Sequence, residues 1–318
     1  MKLAAGMTQH RAMPSFAPVT LQEWFRRRGG TANPGGRKVV LYPDTFNNRF
    51  HTDVGVAAVE AIEAAGWQVV MPQGHICCGR PLYDYGFLDL AERYLRRNLD
   101  RLREWYREGI PIVGLEPSCT AVFKDELEKL VPNDPDAMRL RTSMLHFAEF
   151  FERYDIEPPA LVGEALLWGH CHQKATGGMD ADASVLKKMG VEVEQLTSGC
   201  CGLAGSWGFE AGHHEVSMAA GEQGLLPKVR ALSDDTLVVA NGFSCKTQIE
   251  QGNTGRRALH LAQVMQLARD HGPEGPRGSK PERAVYGRRP APSVARRAAR
   301  TGVVATALAI AGSIALRR

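Results

Sequence analysis

Residues 198–208 read Ser-Gly-Cys-Cys-Gly-Leu-Ala-Gly-Ser-Trp-Gly. Two adjacent cysteines in a glycine-rich loop put two soft thiolates on neighbouring backbone positions. The glycines let that backbone approach a bulky group and offer it free N–H donors. The arrangement suits a cluster or a soft metal, with Cys200 and Cys201 as ligands and Gly199, Gly202 and Gly205 as the cradle. The same device stands upstream as Cys77-Cys78-Gly79-Arg80-Pro81.

The flanks of the two loops match as well. The first half has a β-branched run at 39–42 ending at Asp44, a helical pattern at 54–65, Gly66, and a second run at 68–71 before the Cys77-Cys78 loop. A long helical pattern at 88–107, a third run at 110–115 and Glu116-Pro117-Ser118-Cys119 follow. The second half has a run at 165–168, His170-Cys171-His172, a helical pattern at 183–189, Gly190, and a run at 191–196 before the Cys200-Cys201 loop. It continues with a helical pattern at 212–225, a run at 236–240 and Asn241-Gly242-Phe243-Ser244-Cys245. Each half therefore reads strand, helix, strand, Cys-Cys loop, helix, strand, Cys, helix, which argues internal duplication.

Strands alternating with helices define an α/β protein, here two pseudo-symmetric repeats with parallel sheets and right-handed crossovers. The carboxyl ends of parallel strands share one edge, where ligands bind. Every cysteine of the chain falls just after an expected strand, so thiols far apart in sequence converge there.

The 318 residues, 44% apolar and 23% charged, partition into an N-terminal arm or linker (1–36), a first repeat (37–155), a second repeat (156–271), a basic disordered linker (272–293) and an apolar C-terminal helix (294–318). The net charge of +4 is uneven: from Gly272 onward ten Lys or Arg face only Glu274 and Glu282, which leaves the body acidic. An acidic body gives no nucleic-acid-binding surface. Residues 1–13 lack the basic-then-apolar order of a secretory signal, so the chain is expected in the cytoplasm with reduced cysteines. Seven cysteines, an odd number with two adjacent pairs, also speak against a disulfide framework. The apolar stretch 301–316 is flanked by arginines and spans about 24 Å as a helix, short of a bilayer core of about 30 Å. It reads as a peripheral helix at the inner face of the plasma membrane, or as a helix packed on protein. Dinucleotide-binding, Walker and nucleophile-elbow motifs do not occur, which disfavours nicotinamide, ATP and serine-hydrolase chemistry.

The halves resemble the paired cysteine-rich CCG domains of the iron–sulfur subunits of heterodisulfide reductase, anaerobic glycerol-3-phosphate dehydrogenase and glycolate oxidase. They are most similar to the C-terminal part of fused FAD-linked D-2-hydroxy-acid dehydrogenase-like flavoproteins. The residues that carry the resemblance are Leu41 to Asn48, Cys77 to Tyr83, Gly114 to Cys119, Gly169 to Lys174, Ser198 to Gly208 and Gly242 to Cys245. It implies electron transfer through an iron–sulfur cluster, from reduced flavin on an FAD-linked oxidase toward quinone or another acceptor. The ferredoxin-type cysteine run that usually precedes such domains is absent, so it belongs to a partner subunit or domain.

The family's repeat has a single Cys, a Cys-Cys pair and a Cys-x-x-Cys. Here Glu116 and Gly242 stand where the first member of the last motif belongs, and Asp44 lies near the place of the first lone Cys. The second half keeps Cys171, Cys200, Cys201 and Cys245, the four thiolates of one [4Fe–4S] cluster. The first half keeps Cys77, Cys78 and Cys119, for either a cluster completed by Asp44 or another oxygen, or a degenerate site. Two other readings stay open: a thiol or disulfide reductase of the heterodisulfide type, and a zinc-stabilised scaffold without redox chemistry. His75, His170 and His172 read as loop hydrogen-bonders, the last two pointing away from Cys171 if the segment is extended. Arg80 reads as a tuning cation, a carboxylate holder or an ordinary salt bridge, and Asp44 also fits a helix cap.

Overall fold

The run Lys-Val-Val-Leu-Tyr forms β1 (Lys38–Tyr42), buried along its length after the first residue, as befits a parallel strand covered on both faces. The computed structural model describes residues 2–197 and 199–286. Ahead of β1 the arm carries α1 (Leu21–Arg27), capped by the Thr20 hydroxyl. Behind it come α2 (Thr45–Arg49), α3 (Thr52–Ala64), β2 (Gln68–Val70), α4 (Arg80–Asp84), α5 (Leu88–Arg107) and β3 (Ile112–Gly114). The half continues through α6 (Pro117–Ala121), a π-helical turn at Val122–Glu126, α7 (Leu127–Leu130), α8 (Pro135–Ser143), β4 (Met144–His146) and α9 (Phe147–Arg153).

The second half runs β5 (Gly163–Trp168), α10 (Cys171–Thr176), α11 (Asp180–Met189), β6 (Val191–Leu196), α12 (His214–Glu222), α13 (Leu225–Arg230), β7 (Leu237–Val239), α14 (Phe243–Gln251) and α15 (Leu261–His271). The first sheet has the order β2-β1-β3-β4 and the second β6-β5-β7, with every pairing parallel. The α/β reading with two like repeats is therefore the observed architecture. Each half has its own apolar cluster, one around Val40, Leu95, Ile112 and Phe123, the other around Leu166, Leu203, Leu226 and Ile249. Helix α5 shows how the first is built: Ala91, Leu95, Leu99, Leu102 and Tyr106 recur at helical spacing and bury one face.

Strand β4 was not expected. It is three residues long and runs straight into α9, too short for a strand periodicity to show. Its counterpart is the single parallel bridge from Val239 to Leu259. After each of these comes a histidine that opens a helix, His146 before α9 and His260 before α15. The two helices are exchanged: α9 packs on α11 of the second half, and α15 packs on α3 of the first.

His260 ties the halves directly. Its Nδ1 accepts from the Ala262 N–H at 3.0 Å and its Nε2–H donates to the Leu115 carbonyl, just past β3, at 3.2 Å.

The arm docks on the second half, where the Thr8 N–H donates to the Phe209 carbonyl at 2.8 Å. Part of the stretch expected to be a disordered linker, residues 272–282, is held by specific bonds. The Val162 N–H donates to the Pro273 carbonyl at 2.7 Å, and Glu282 pairs with Arg256 at 2.8 Å, both side chains buried. Its Gly and Pro content concealed one buried ion pair that holds it. The expected helix at 294–318 lies outside the described residues. Among those described, no helix is long and apolar enough to cross a membrane.

Burial, with Lys246 nearby, lowers the His260 pKa to about 3. The unfolded chain takes up this proton below about pH 6.5 and the folded chain does not. The native state therefore loses about 1.4 kcal/mol per pH unit from this group as pH falls between those values. His260→Asn keeps a capping oxygen and loses the bond to Leu115. In denaturant titrations it is expected to be less stable by about 1–3 kcal/mol at pH 7, with the deficit shrinking as pH falls toward 4.

Candidate metal centre

Three parallel strands deliver four thiols to one edge. After β5 ends at Trp168, Cys171 is the first residue of α10; after β7, Cys245 is the third residue of α14; Cys200 and Cys201 lie in the loop that follows β6. Side-chain contacts run from Cys171 to Cys200, from Cys200 to Cys201 and from Cys201 to Cys245, so the four form one connected group. Cys201 and Cys245 are buried, while Cys171 and Cys200 face solvent. Hydrogen bonds from the Cys171 and Cys201 thiols, then the Gly202 N–H, pull the Cys200 pKa far below the usual thiol range. The same contact pushes Cys171 up, and Cys201 rises through its contacts with Cys200 and Cys245 and its burial.

The loop backbone explains its glycines. Gly199, Gly202 and Gly205 all have positive φ, at 35°, 92° and 65°. Gly202 also lies so close to α12 that a Cβ would stand 2.1 Å from the Ser217 carbonyl oxygen. Its N–H points at the Cys200 sulfur at 3.4 Å. A Cβ on Gly199 or Gly205 would meet nothing within 4 Å among the described residues.

The two residues that replace cysteines have structural work of their own. A Cβ on Gly242 would meet the His170 imidazole at 2.4 Å, so that ring fills the space of a side chain there. Glu116, buried, accepts from the Ser118 hydroxyl at 2.9 Å and from the Phe243 N–H at 2.8 Å. One carboxylate thereby serves the N-termini of both α6 and α14, across the two halves. Burial, with the Asp44 charge, raises its pKa to about 7.

The first half is built alike with one change. Cys78 and Cys119 sulfurs are 3.0 Å apart, both buried, and Cys77 contacts Cys78. Asn98 on α5 holds the loop by donating to the Cys77 carbonyl at 2.9 Å. Asp44, however, is the N-cap of α2 and matches His170, the N-cap of α10. Its carboxylate accepts from the Phe46 and Asn47 N–H groups, each at 2.9 Å, and from the Asn47 side chain. The position of Cys171 is taken by Thr45, the first residue of α2, whose hydroxyl bonds the Cys77 thiol. Of the readings of Asp44, the structure shows the helix cap, and it places the Thr45 hydroxyl rather than Asp44 at the position that matches Cys171. Burial raises the Asp44 pKa to about 6 and, although the bond from Cys78 acts the other way, lifts Cys119 to about 12.

The histidines also depart from expectation, because the segment after β5 turns into a helix at Cys171 rather than staying extended. His170 Nδ1 accepts from the His172 N–H at 3.3 Å, and donor atoms of His170, Cys171 and His172 lie within 4.8 Å of one another. Arg80 is an ion-pairing residue, bonded to Asp84 at 3.0 Å and to Glu126. Sequence reasoning missed Tyr85, whose hydroxyl reaches the second cysteine loop at Ser206, 2.9 Å away. It also missed Thr45, which counting back from the cap would have found.

Two like α/β halves with thiols gathered at the strand ends make this a cysteine-rich metal- or iron–sulfur-binding protein. The family model described as the cysteine-rich domain, CCG, matches residues 44–124 and 171–250, and the chain belongs to that family. It is 27% identical over 274 residues to one of the subunits of anaerobic glycerol-3-phosphate dehydrogenase from Escherichia coli strain K12, covering 82% of this chain and 68% of that one. It is 28% identical over 231 residues to D-2-hydroxyglutarate dehydrogenase of Pseudomonas putida, which covers 72% of this chain and only 22% of that protein's length. Lactate utilization protein A of Bacillus subtilis is 27% identical over 246 residues, 72% of this chain and 98% of the relative.

Gly202→Ala joins a positive φ to a clash with backbone, and is expected to cost several kcal/mol, on the order of 3, and to lose most bound metal. Gly205→Ala meets no atom and costs about 1 kcal/mol with metal retained. Denaturation curves and metal per chain check both.

Proposed function

We propose that Cys171, Cys200, Cys201 and Cys245 hold a [4Fe–4S] cluster, and that this chain relays electrons for a flavin-linked 2-hydroxy-acid or polyol-phosphate dehydrogenase. The observation that supports this best is the unbroken chain of contacts among four thiols, the ligand number of such a cluster. The donor set is soft and all-sulfur, and the Gly202 N–H supplies the backbone hydrogen bond that cluster sulfurs take. The named relatives, dehydrogenases of glycerol 3-phosphate and 2-hydroxyglutarate and a lactate utilization protein, point to the same chemical setting.

The cluster supplies one-electron storage. The protein's residues do the rest. Buried Cys201 and Cys245 keep water from the inner side. Exposed Cys171 and Cys200 mark the face through which electrons enter or leave, and hence where a partner docks. No side chain is asked to act as acid or base on an organic substrate, because that chemistry belongs to FAD on the partner oxidase. The partner or a further subunit brings the ferredoxin-type clusters, and quinone at the inner face of the plasma membrane is the acceptor. The arginine-flanked segment 294–318 serves there as the membrane contact. The first half, with Thr45 in place of a thiol, holds no cluster and keeps Cys78 and Cys119 as packed core.

One observation favours a second reading. The His170, Cys171 and His172 donors are near enough together for zinc, which would make the chain a scaffold.

Anaerobic purification of the full chain separates the readings. The relay predicts a broad visible absorption that bleaches on reduction, lost in Cys245→Ala and kept in Cys119→Ala. Colourless protein with zinc alone would support the scaffold and refute the relay. Turnover of a disulfide without any flavoprotein would instead mark a thiol or disulfide reductase.

A further inference from the structure

The N-terminal arm buries a charge that nothing in the arm requires. Arg11 is 1% exposed. Its Nε–H donates to the Gly208 carbonyl at 2.9 Å, and its Nη2 donates to the Ser217 hydroxyl at 2.7 Å and to the Gln248 side-chain oxygen at 2.6 Å. A longer contact reaches the Met218 sulfur at 3.7 Å, and the Phe209 ring lies 6.0 Å away. All these partners are neutral. Among the described residues no carboxylate pairs with Arg11, and its Nη1 is buried with no hydrogen-bond partner. A guanidinium taken out of water without an anion is costly, and such groups are retained where a negative charge faces them.

The acceptors show which anion that is. Gly208 closes the Cys200-Cys201 loop. Ser217 lies on α12, whose backbone carbonyl at that residue is the one packed against Gly202. Gln248 lies on α14, one turn beyond Cys245, and its amide also donates to the Ser217 carbonyl at 3.0 Å. Arg11 thus joins the loop that carries Cys200 and Cys201 to α14, which carries Cys245, by way of α12. Burial holds the Arg11 pKa below its usual value, and the Cys201 sulfur, whenever it carries charge, acts the other way.

We infer that Arg11 is the built-in counter-ion of the second-half thiolate site, a positioning residue through which the N-terminal arm raises the reduction potential of the group bound there. The inference rests on the cluster reading above. A cluster on four thiolates is anionic and becomes more so on reduction, so a fixed buried cation favours the reduced state. By reciprocity, reduction tightens the arm on the protein.

Redox titration of the anaerobically purified full chain, followed by the paramagnetic signal of the reduced state, tests this. Arg11→Gln is expected to lower the midpoint potential, and Arg11→Lys, which keeps the charge, to stay near the unaltered protein. An unchanged potential in Arg11→Gln with its cluster intact overturns the inference. If Arg11→Gln fails to retain the cluster, amide hydrogen exchange in the unaltered protein decides: exchange over residues 7–12 slows on reduction if Arg11 is the counter-ion, and does not change if it is not. A chain that shows no reducible centre at all would instead refute the relay reading.

Discussion

Four sulfurs in contact at the edge of a parallel sheet are an electrostatic problem that the protein must solve. Thiolates at such distances repel, and burial strengthens the repulsion, so they must be protonated, oxidised or shared by a metal. Contacts among the thiols draw Cys200 down and, together with burial, push Cys171 and Cys201 up. A shared iron would relieve the repulsion for all of them, each thiolate keeping its charge against a cation. The contact group, the Gly202 N–H and the Arg11 guanidinium all bear on the same excess of negative charge.

The duplication explains how the site is assembled and why its two copies differ. Parallel pairing sends every strand's carboxyl end to one edge, and the exchange of α9 and α15 locks the halves together. Glu116 then uses the position of a lost cysteine to cap helices on both sides of the junction. Gly242 leaves the equivalent space to His170. Thr45 turns the first site into three thiols and a hydroxyl.

Much of this was legible in the chain, because β-branched runs ended by Gly, Pro or Cys place strands and the repeat checks them against each other. Convergence of the thiols followed from topology alone. What escaped was set by registers of one residue or by distant partners. Asp44 and Thr45 are adjacent, and only the cap geometry says which one stands in the ligand position. The helix that Cys171 opens carries no periodicity at six residues, so the sequence leaves the segment's conformation open. Strand β4 exists through its pairing with β3. Arg11 and Glu282 carry no local signal of their burial, since nothing in the neighbouring residues distinguishes a buried ion from a solvated one.

The central claim is that the four thiols of the second half grip iron. Iron-edge X-ray absorption of the anaerobically purified full chain tests it most directly. The account predicts iron in a shell of sulfur alone with other irons as near neighbours, a pattern lost when Cys200 and Cys201 are replaced by alanine. Iron bound singly among nitrogen and oxygen, or an unaltered iron spectrum after those cysteines are removed, would contradict it.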